Sequence, residues 1–382
     1  MFLSEITQSQ RSWKTVYISF FNATHLENFD FILLGEAERI FDVFLRKCHY
    51  TSIQEKIFCD SQLVDLNDLP NPDKSLFERY VNHKDSYLVI TSKGCPDCCS
   101  YCMETVLKDQ MGINYCRRRS PMNVIAELIE AKSRYGIREV IFKDSIFSLN
   151  KDWLREYLPL YREHINVPYK CFAKASNFDV EIAEMLKESQ CYCVEFGIQT
   201  FNEQLKHGVL DRNESITLLL EAFEICDRYH LDYDADHLFG IPGESLEDHL
   251  TAANFYIGLQ HLNRIKCHNL VFYPNAKISQ HSLDSIRNDK GSQVDFFSSV
   301  AGSFAMYDIN ACFQKYFKVL PLFTDKINSF LQKGDHWKIF KFIPNILIIF
   351  LMFILAVRNN DKRFGIYVKH YLKKIVGSII EL

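Results

Sequence analysis

Hydrophobic positions recur along this chain with two alternating periods. Short apolar runs read as strands at Ser86–Thr91, Glu139–Lys143, Pro168–Lys174, Tyr192–Ile198, Asp232–Phe239 and Ile265–Phe272. Between them, apolar residues fall at helical spacing in Asp179–Glu188, Glu214–Tyr229 and Leu246–Leu259. The best-marked helix is Pro121–Tyr135, where Ser120 is placed to cap the start and Gly136 follows the end. Strands alternating with helical crossovers predict an α/β fold built on a parallel sheet. Six units are too few for a closed eight-fold barrel, so a partial (β/α)6 TIM-like barrel or an open sheet is expected.

Both ends depart from this pattern. Thr15–Phe21 and Phe29–Leu34 read as strands, and Glu36–Lys47 as a helix with Ile40, Phe41 and Phe44 on one face, giving a small α/β unit over residues 1–64. Residues 65–85 contain Leu66–Lys74 (LNDLPNPDK) and read as a linker into a core over residues 86–280. Residues 281–382 are aromatic-rich and expected to be helical, notably Phe296–Phe330. Ile346–Val357 (ILIIFLMFILAV) is uninterrupted apolar sequence, yet shorter than the roughly 20 residues a spanning helix needs. It is expected to be a buried helix. The basic residues scattered over 338–374 support a second reading, contact with a membrane surface.

Composition narrows the class. With 47% hydrophobic and 24% charged residues, a wholly disordered chain is excluded. A net charge of −4 argues against a protein held mainly by nucleic-acid phosphates, and the run Arg117-Arg118-Arg119 reads as a solvated loop. The start of the chain lacks a basic segment followed by an apolar run, so thirteen cysteines point to a reducing cytoplasm, not to a disulfide framework. Cys48, Cys59, Cys171, Cys226, Cys267 and Cys312 are expected to pack as small core residues.

The segment Gly94-Cys-Pro-Asp-Cys-Cys-Ser-Tyr-Cys102 is different, with four cysteines in eight residues directly after a strand. Zinc would need a second ligand pair, and Cys191 and Cys193 are poorly spaced to supply it. A redox dithiol would need only one C-x-x-C pair. An iron–sulfur cluster is the third option, since three thiolates from one tight loop hold three irons of a [4Fe–4S] cube and leave the fourth open. Two triads are possible by spacing: Cys95, Cys99 and Cys102, or Cys95, Cys98 and Cys102.

The first spacing, C-x3-C-x2-C with Tyr101 before the last cysteine, resembles the signature of the radical S-adenosylmethionine (SAM) superfamily. Other segments are similar in order: the linker 66–77, the helix after Arg119, Glu139–Asn150, Tyr192–Glu203 with its Phe-Gly-Ile-Gln-Thr, and His237-Leu-Phe-Gly-Ile-Pro-Gly-Glu-Ser245. The resemblance is to a branch carrying an N-terminal cobalamin-binding domain. It implies a [4Fe–4S] cluster on Cys95, Cys99 and Cys102, and SAM cleaved reductively to a 5′-deoxyadenosyl radical that abstracts hydrogen from substrate. Methyl transfer or cyclisation would follow. It also implies an electron donor such as flavodoxin or ferredoxin; the substrate, small or hydrophobic, is not identified by any motif, and the aromatic-rich end is compatible with a hydrophobic one. The opposing reading is a non-catalytic or degenerate iron–sulfur or zinc-binding protein.

Strand ends supply SAM-site candidates beside Tyr101. Asp144, with Ser145 where the family often has a second acid, and Glu195 suit the amine or ribose. Arg212 suits the carboxylate through a planar two-point contact. Gln199 falls at a strand end, and Gly240 and Gly243 would let backbone approach the adenine closely. Asp144 could equally cap local backbone, and Glu195 could pair with a barrel lysine. At the front end, Phe29–Leu45 resembles the last strand–helix unit of a cobalamin domain, but no Asp-x-His-x-x-Gly loop is present. The expectation is a truncated domain that does not bind cobalamin tightly.

Overall fold

The structure is a computed structural model describing residues 15–17, 30–50, 56–60, 62–112, 115–273, 276–279, 304–359 and 361. Its centre is a six-stranded parallel sheet. The strands are β4 (Tyr87–Val89), β7 (Val140–Phe142), β8 (Tyr169–Ala173), β9 (Cys191–Gln199), β10 (Asp232–Phe239) and β11 (Leu262–Asn269), adjacent in that order. Sequential order in an all-parallel sheet means that every connection is a crossover, the arrangement of a partial barrel.

The crossovers are helices. Pro121–Tyr135 (α3) starts where expected: the Ser120 hydroxyl accepts from Asn123 N–H, and Gly136 closes the end at φ 60°. Val180–Glu188 (α5), Glu203–Gly208 (α6), Ile216–Arg228 (α7) and Leu246–Ile257 (α8) are capped by Asp179, Asn202, Ser215 and Ser245. The sequence pattern did not mark Lys151–His164 (α4), because Pro159 breaks its interior. Outward residues of the sheet and inward faces of the helices form one large core that includes Val140, Phe142, Tyr169, Val194, Phe196, Tyr233 and Ala235.

Before the barrel, β1 (Thr15–Tyr17), β2 (Phe31–Gly35) and β3 (Ile57–Asp60) form a small parallel sheet packed against α1 (Ala37–Tyr50). Ile40 and Phe44 are buried there, whereas Phe41 is 45% exposed: one residue on from Ile40 turns its side chain about 100° away from the sheet. The remainder of the expected first strand, 18–21, and the side chains of Cys48 and Cys59 lie outside the described residues.

Residues 62–86 run along the barrel as a strap. Asn67 accepts from Ser120 N–H, and Lys74 reaches Glu127 at 3.2 Å. A two-stranded antiparallel hairpin, β5 (Ser92–Lys93) with β6 (Arg117–Arg118), encloses the cysteine loop and α2 (Met103–Met111). The three arginines at 117–119 are not a solvated loop. Arg117 pairs with Glu36, Arg118 donates to Ile146 and Phe147 carbonyls and stacks over Trp153 at 4.6 Å, and Arg119 pairs with Glu127.

At the other end, α9 (Phe304–Val319), α10 (Asp325–Gln332) and α11 (Asn345–Arg358) join the main core through Phe313, Tyr316, Phe317, Trp337, Phe340 and Ile348. Of the expected helical stretch, 296–303 lies outside the described residues, and Pro321 sits in a 3-10 turn that divides the rest. Helix α11 is not buried throughout: Ile348, Leu355 and Ala356 are covered, whereas Ile346, Phe350, Ile354 and Val357 are exposed. Among the described residues, no helix is long and apolar enough to cross a membrane.

Candidate active site

The cysteine loop follows β4 and lies across the C-terminal ends of the strands. Gly94 opens it at φ 87°, a conformation that L side chains rarely adopt, and a Cβ there would sit 2.9 Å from the Tyr115 carbonyl oxygen. Several contacts fix the loop to different parts of the barrel. Asp97 pairs with Lys174 just beyond β8 at 2.7 Å. Ser100 N–H donates to the Leu210 carbonyl at 3.0 Å, and Thr105 hydroxyl donates to the Cys99 carbonyl at 2.9 Å. Lys108 donates to the Pro96 and Asp97 carbonyls at 2.9 and 2.6 Å.

This geometry separates the two cysteine spacings. Cys99 is buried and Cys95 and Cys102 are half-buried, whereas Cys98 is exposed and lies 3.0 Å from the Lys108 ammonium on the outer side of the loop. Burial pushes the Cys95 thiol up to about 12 and raises Cys99 and Cys102 in the same direction, with Arg212 opposing the shift at Cys99 and Cys102. Thiolates there need a strong positive partner, as a metal centre provides. Among the described residues, no three cysteine sulfurs lie within 4.8 Å of one another, so they do not converge as ligands of a single ion. Three soft donors on one tight loop suit a multi-iron cluster, whereas a structural zinc takes four ligands.

Arg212 is buried beside this loop, not on the surface. Its guanidinium donates to the Gly197 carbonyl at 2.6 Å and pairs with Glu214 at 3.0 Å, and it interacts with Cys99 and Tyr101. Burial disfavours its charge, but Glu214, Tyr101 and Cys99 raise its pKa overall. Glu214 is fully buried and also accepts from Ala175 N–H at 2.9 Å, linking the end of β8 to β9 and the cysteine loop. Sequence reading missed Glu214, although its position two residues after Arg212 was the available signal. It also missed Lys206, whose buried ammonium has no hydrogen-bond partner and is pushed down to about 8 by burial.

Gln199 ends β9 at φ 67°, an unusual conformation for a non-glycine residue and one often stored at functional sites. A Cβ on neighbouring Gly197 would stand 2.7 Å from the Gln199 amide and 3.5 Å from the Arg212 guanidinium. The bare backbone thus makes room for both side chains. Gly240 and Gly243 each adopt φ 84°, so that the turn after β10 needs their freedom. Beneath the cysteine loop, Tyr101 packs on an apolar group including Leu205, Leu238 and Ile241. Ser145 lines a cavity of about 250 Å³ with Glu36, Ser92, Gly94, Glu104 and Tyr115.

Two of the expected SAM contacts are committed elsewhere. Asp144 is buried and accepts from Thr91 N–H and hydroxyl at 2.8 and 3.1 Å and from Ser92 hydroxyl at 2.7 Å, so its carboxylate caps the chain leading into the cysteine loop. Glu195 is in the middle of β9, not at its end. It pairs with Lys170 at 2.6 Å and with Lys266, in a barrel-interior network where Asp234 also meets Lys170 and Arg264. Burial would raise the Glu195 carboxyl, yet Lys170 and Lys266 hold it down at about 2.

A separate buried group lies on the other side of β10, facing the helices. His237, Glu244 and His249 bring one donor atom each within 4.8 Å. Glu244 accepts from Gly240 N–H at 2.8 Å, and His249 contacts Asn310 of α9 at 2.7 Å. Burial raises the Glu244 carboxyl to about 7 and lowers His249 to about 4.

Residues 89–256, which contain the cysteine loop, Arg212, Glu214 and the turn after β10, match the family described as the Radical SAM superfamily. This stretch of the chain is a radical SAM domain. An uncharacterized methyltransferase of Pyrococcus horikoshii is 27% identical over 191 residues, 49% of this chain and 40% of that protein. The tryptophan 2-C-methyltransferase of Streptomyces laurentii is 23% identical over 293 residues, 70% of this chain and 45% of that one. The chain therefore spans less than half the length of these two curated relatives. Among solved structures, the cobalamin-dependent SAM radical enzyme OxsB aligns over 98% of this chain and 74% of its own, with a TM-score of 0.62 at 11% identity. The radical SAM methyltransferase TsrM from Kitasatospora setae aligns over 75% and 68%, with a TM-score of 0.56 at 16% identity. At these identities the likeness is one of fold. A radical SAM domain implies a [4Fe–4S] cluster and SAM as its cofactors.

Proposed function

We propose that this radical SAM protein cleaves SAM reductively and uses the product radical to abstract hydrogen from a small or hydrophobic substrate. The observation that carries the reading is the cysteine loop, with Cys99 buried, Cys95 and Cys102 half-buried, Cys98 exposed and Arg212 buried beside Cys99. Cys95, Cys99 and Cys102 would hold the cluster, which when bound would supply one-electron reduction of SAM. A partner protein of the flavodoxin or ferredoxin kind supplies that electron.

This chain's residues bind and orient. Lys174, Lys108 and Ser100 hold the loop at the strand ends, so the three thiols keep a fixed placement. Arg212, held by Glu214, presents a cation at the loop's inner side, suited to the SAM carboxylate. Gly240 and Gly243 leave space for adenine over Leu238 and Ile241. Asp144 and Glu195 act as positioning residues, the first for the loop entry and the second for the barrel interior.

The names of the relatives favour methyl transfer over cyclisation as the outcome. No step of the proposal runs through cobalamin: the sequence has no Asp-x-His-x-x-Gly loop, and that cofactor is assigned no residue of this chain.

The test is anaerobic reconstitution with iron and sulfide, reduction, and quantification of 5′-deoxyadenosine after adding SAM. Wild type and Cys98→Ala are expected to form product, and Cys99→Ala to fall to background. Product from Cys99→Ala but not from Cys98→Ala would overturn the triad. A protein that takes up zinc and no cluster would overturn the function.

A further inference from the structure

Helix α11 has two apolar faces and only one of them is used. Ile348, Leu355 and Ala356 are buried on the protein, with Leu351 and Met352 packed against the core beside them. Ile346, Phe350, Ile354 and Val357 stand four, four and three residues apart along the opposite face, and are exposed by 56%, 59%, 43% and 61%. The turn leading into the helix continues the pattern, with Ile339 exposed and Phe342 80% exposed. A helix that is apolar all round is normally buried all round, and exposed apolar surface on this scale marks an interaction site.

We propose that this outward face docks on the surface of an anionic lipid bilayer, lying in the interface without crossing it. Fourteen residues of helix span about 21 Å, less than the roughly 30 Å hydrocarbon thickness, so α11 can lie in the interface but cannot bridge it. Charge selects the occupant. Among the described residues, 333–361 carry Lys333, Lys338, Lys341 and Arg358 against Asp335 and Asp361, in a chain whose net charge is −4. Lys338 and Lys341 flank the apolar turn with side chains more than half exposed; Asp335 and Asp308 accompany them and partly offset their charge. Arg358 is exposed at the other end of the helix. A second copy of the chain would bring the same positive excess against itself, whereas anionic headgroups complement it while apolar side chains enter the acyl boundary.

The experiment is flotation of the full reconstituted chain with vesicles of phosphatidylcholine alone or mixed with phosphatidylglycerol. The expected result is co-flotation with the mixed vesicles, weak binding to phosphatidylcholine and release by high salt. The double variant Phe342→Ser/Phe350→Ser is expected to lose roughly tenfold or more of this binding, with its melting temperature and cluster content unchanged. Lys338→Glu/Lys341→Glu is expected to weaken binding to the mixed vesicles specifically. Three results would each overturn the proposal: no flotation of wild type, binding indifferent to phosphatidylglycerol, or a sedimentation dimer that Phe350→Ser dissociates. The last would assign the face to self-association.

Discussion

The environment around a side chain decides what each candidate residue does here. Asp144 and Arg212 both sit near strand ends, but Asp144 spends its carboxylate on Thr91 and Ser92 while Arg212 keeps part of its donor fork beside Cys99 and Tyr101. Glu244 illustrates the cost of burial at the same scale. Its folded pKa of about 7 lies above the ordinary 4.5, so folding binds a proton more tightly than the unfolded chain does. The stability this contributes is present below about 4.5 and is lost as pH rises through about 7. Glu244→Gln, which keeps an acceptor for Gly240 N–H, is expected to flatten that loss and to stabilise the protein at pH 8 by about 1–3 kcal/mol. Urea unfolding of both proteins across the neutral range measures it. His249 has the opposite sign: its neutral form is favoured, and stability falls as pH drops from about 6.5 through about 4.

Among elements, the cysteine loop matters most, and its backbone is tightly constrained. Gly94 combines a positive φ with a close approach to Tyr115 and Cys116, so a methyl group there must displace the β5–β6 hairpin or the loop. Gly94→Ala is expected to cost about 1–3 kcal/mol of strain and to lower cluster occupancy by at least half, without removing any cysteine. Iron and sulfide content after reconstitution, beside the absorbance of the cluster, reads the effect. Occupancy equal to wild type would show that the loop adapts more freely than its contacts indicate. Elements with clear punctuation were legible from sequence, as α3 shows with Ser120, Pro121 and Gly136. Lys151–His164 was not, because Pro159 interrupts its period while tertiary packing of Trp153, Tyr157 and Tyr161 keeps it helical.

Over the whole molecule, the three parts of the chain are joined by particular contacts. The C-terminal helices share the barrel's core through Phe313, Phe317 and Trp337. The N-terminal unit is held by charge: Glu36 meets Arg117 and Lys93, and Lys93 also reaches Glu38 at 2.7 Å. Glu36 and Arg117 are largely screened from solvent, so breaking the pair leaves a shielded carboxylate near the 250 Å³ cavity with only the longer Lys93 contact, 3.7 Å, to offset it. Arg117→Ala is expected to loosen the N-terminal unit by about 2–4 kcal/mol while the barrel stays folded. Limited proteolysis should then cut between residues 60 and 70 several-fold faster, with the barrel fragment surviving. Unchanged cleavage would mean that the strap at 62–86, not the ion pair, holds the unit.

Local signals in the sequence determined much of this protein: the order of strands and helices, the parallel sheet, the cysteine loop and its placement after a strand. These follow from periodicity, caps and spacing, which act over a few residues. The tertiary structure alone decided the pairings. It turned Cys98 outward and Cys99 inward, gave Arg212 its Glu214, placed Glu195 among barrel lysines and fixed Arg117–Arg119 in structural contacts. It also left one face of α11 uncovered, where an unbroken apolar run suggested burial on every side. The physical reason is the same in each case. A side chain's type sets what it can bind, but the distance and dielectric that decide which partner it takes come from chain segments remote in sequence.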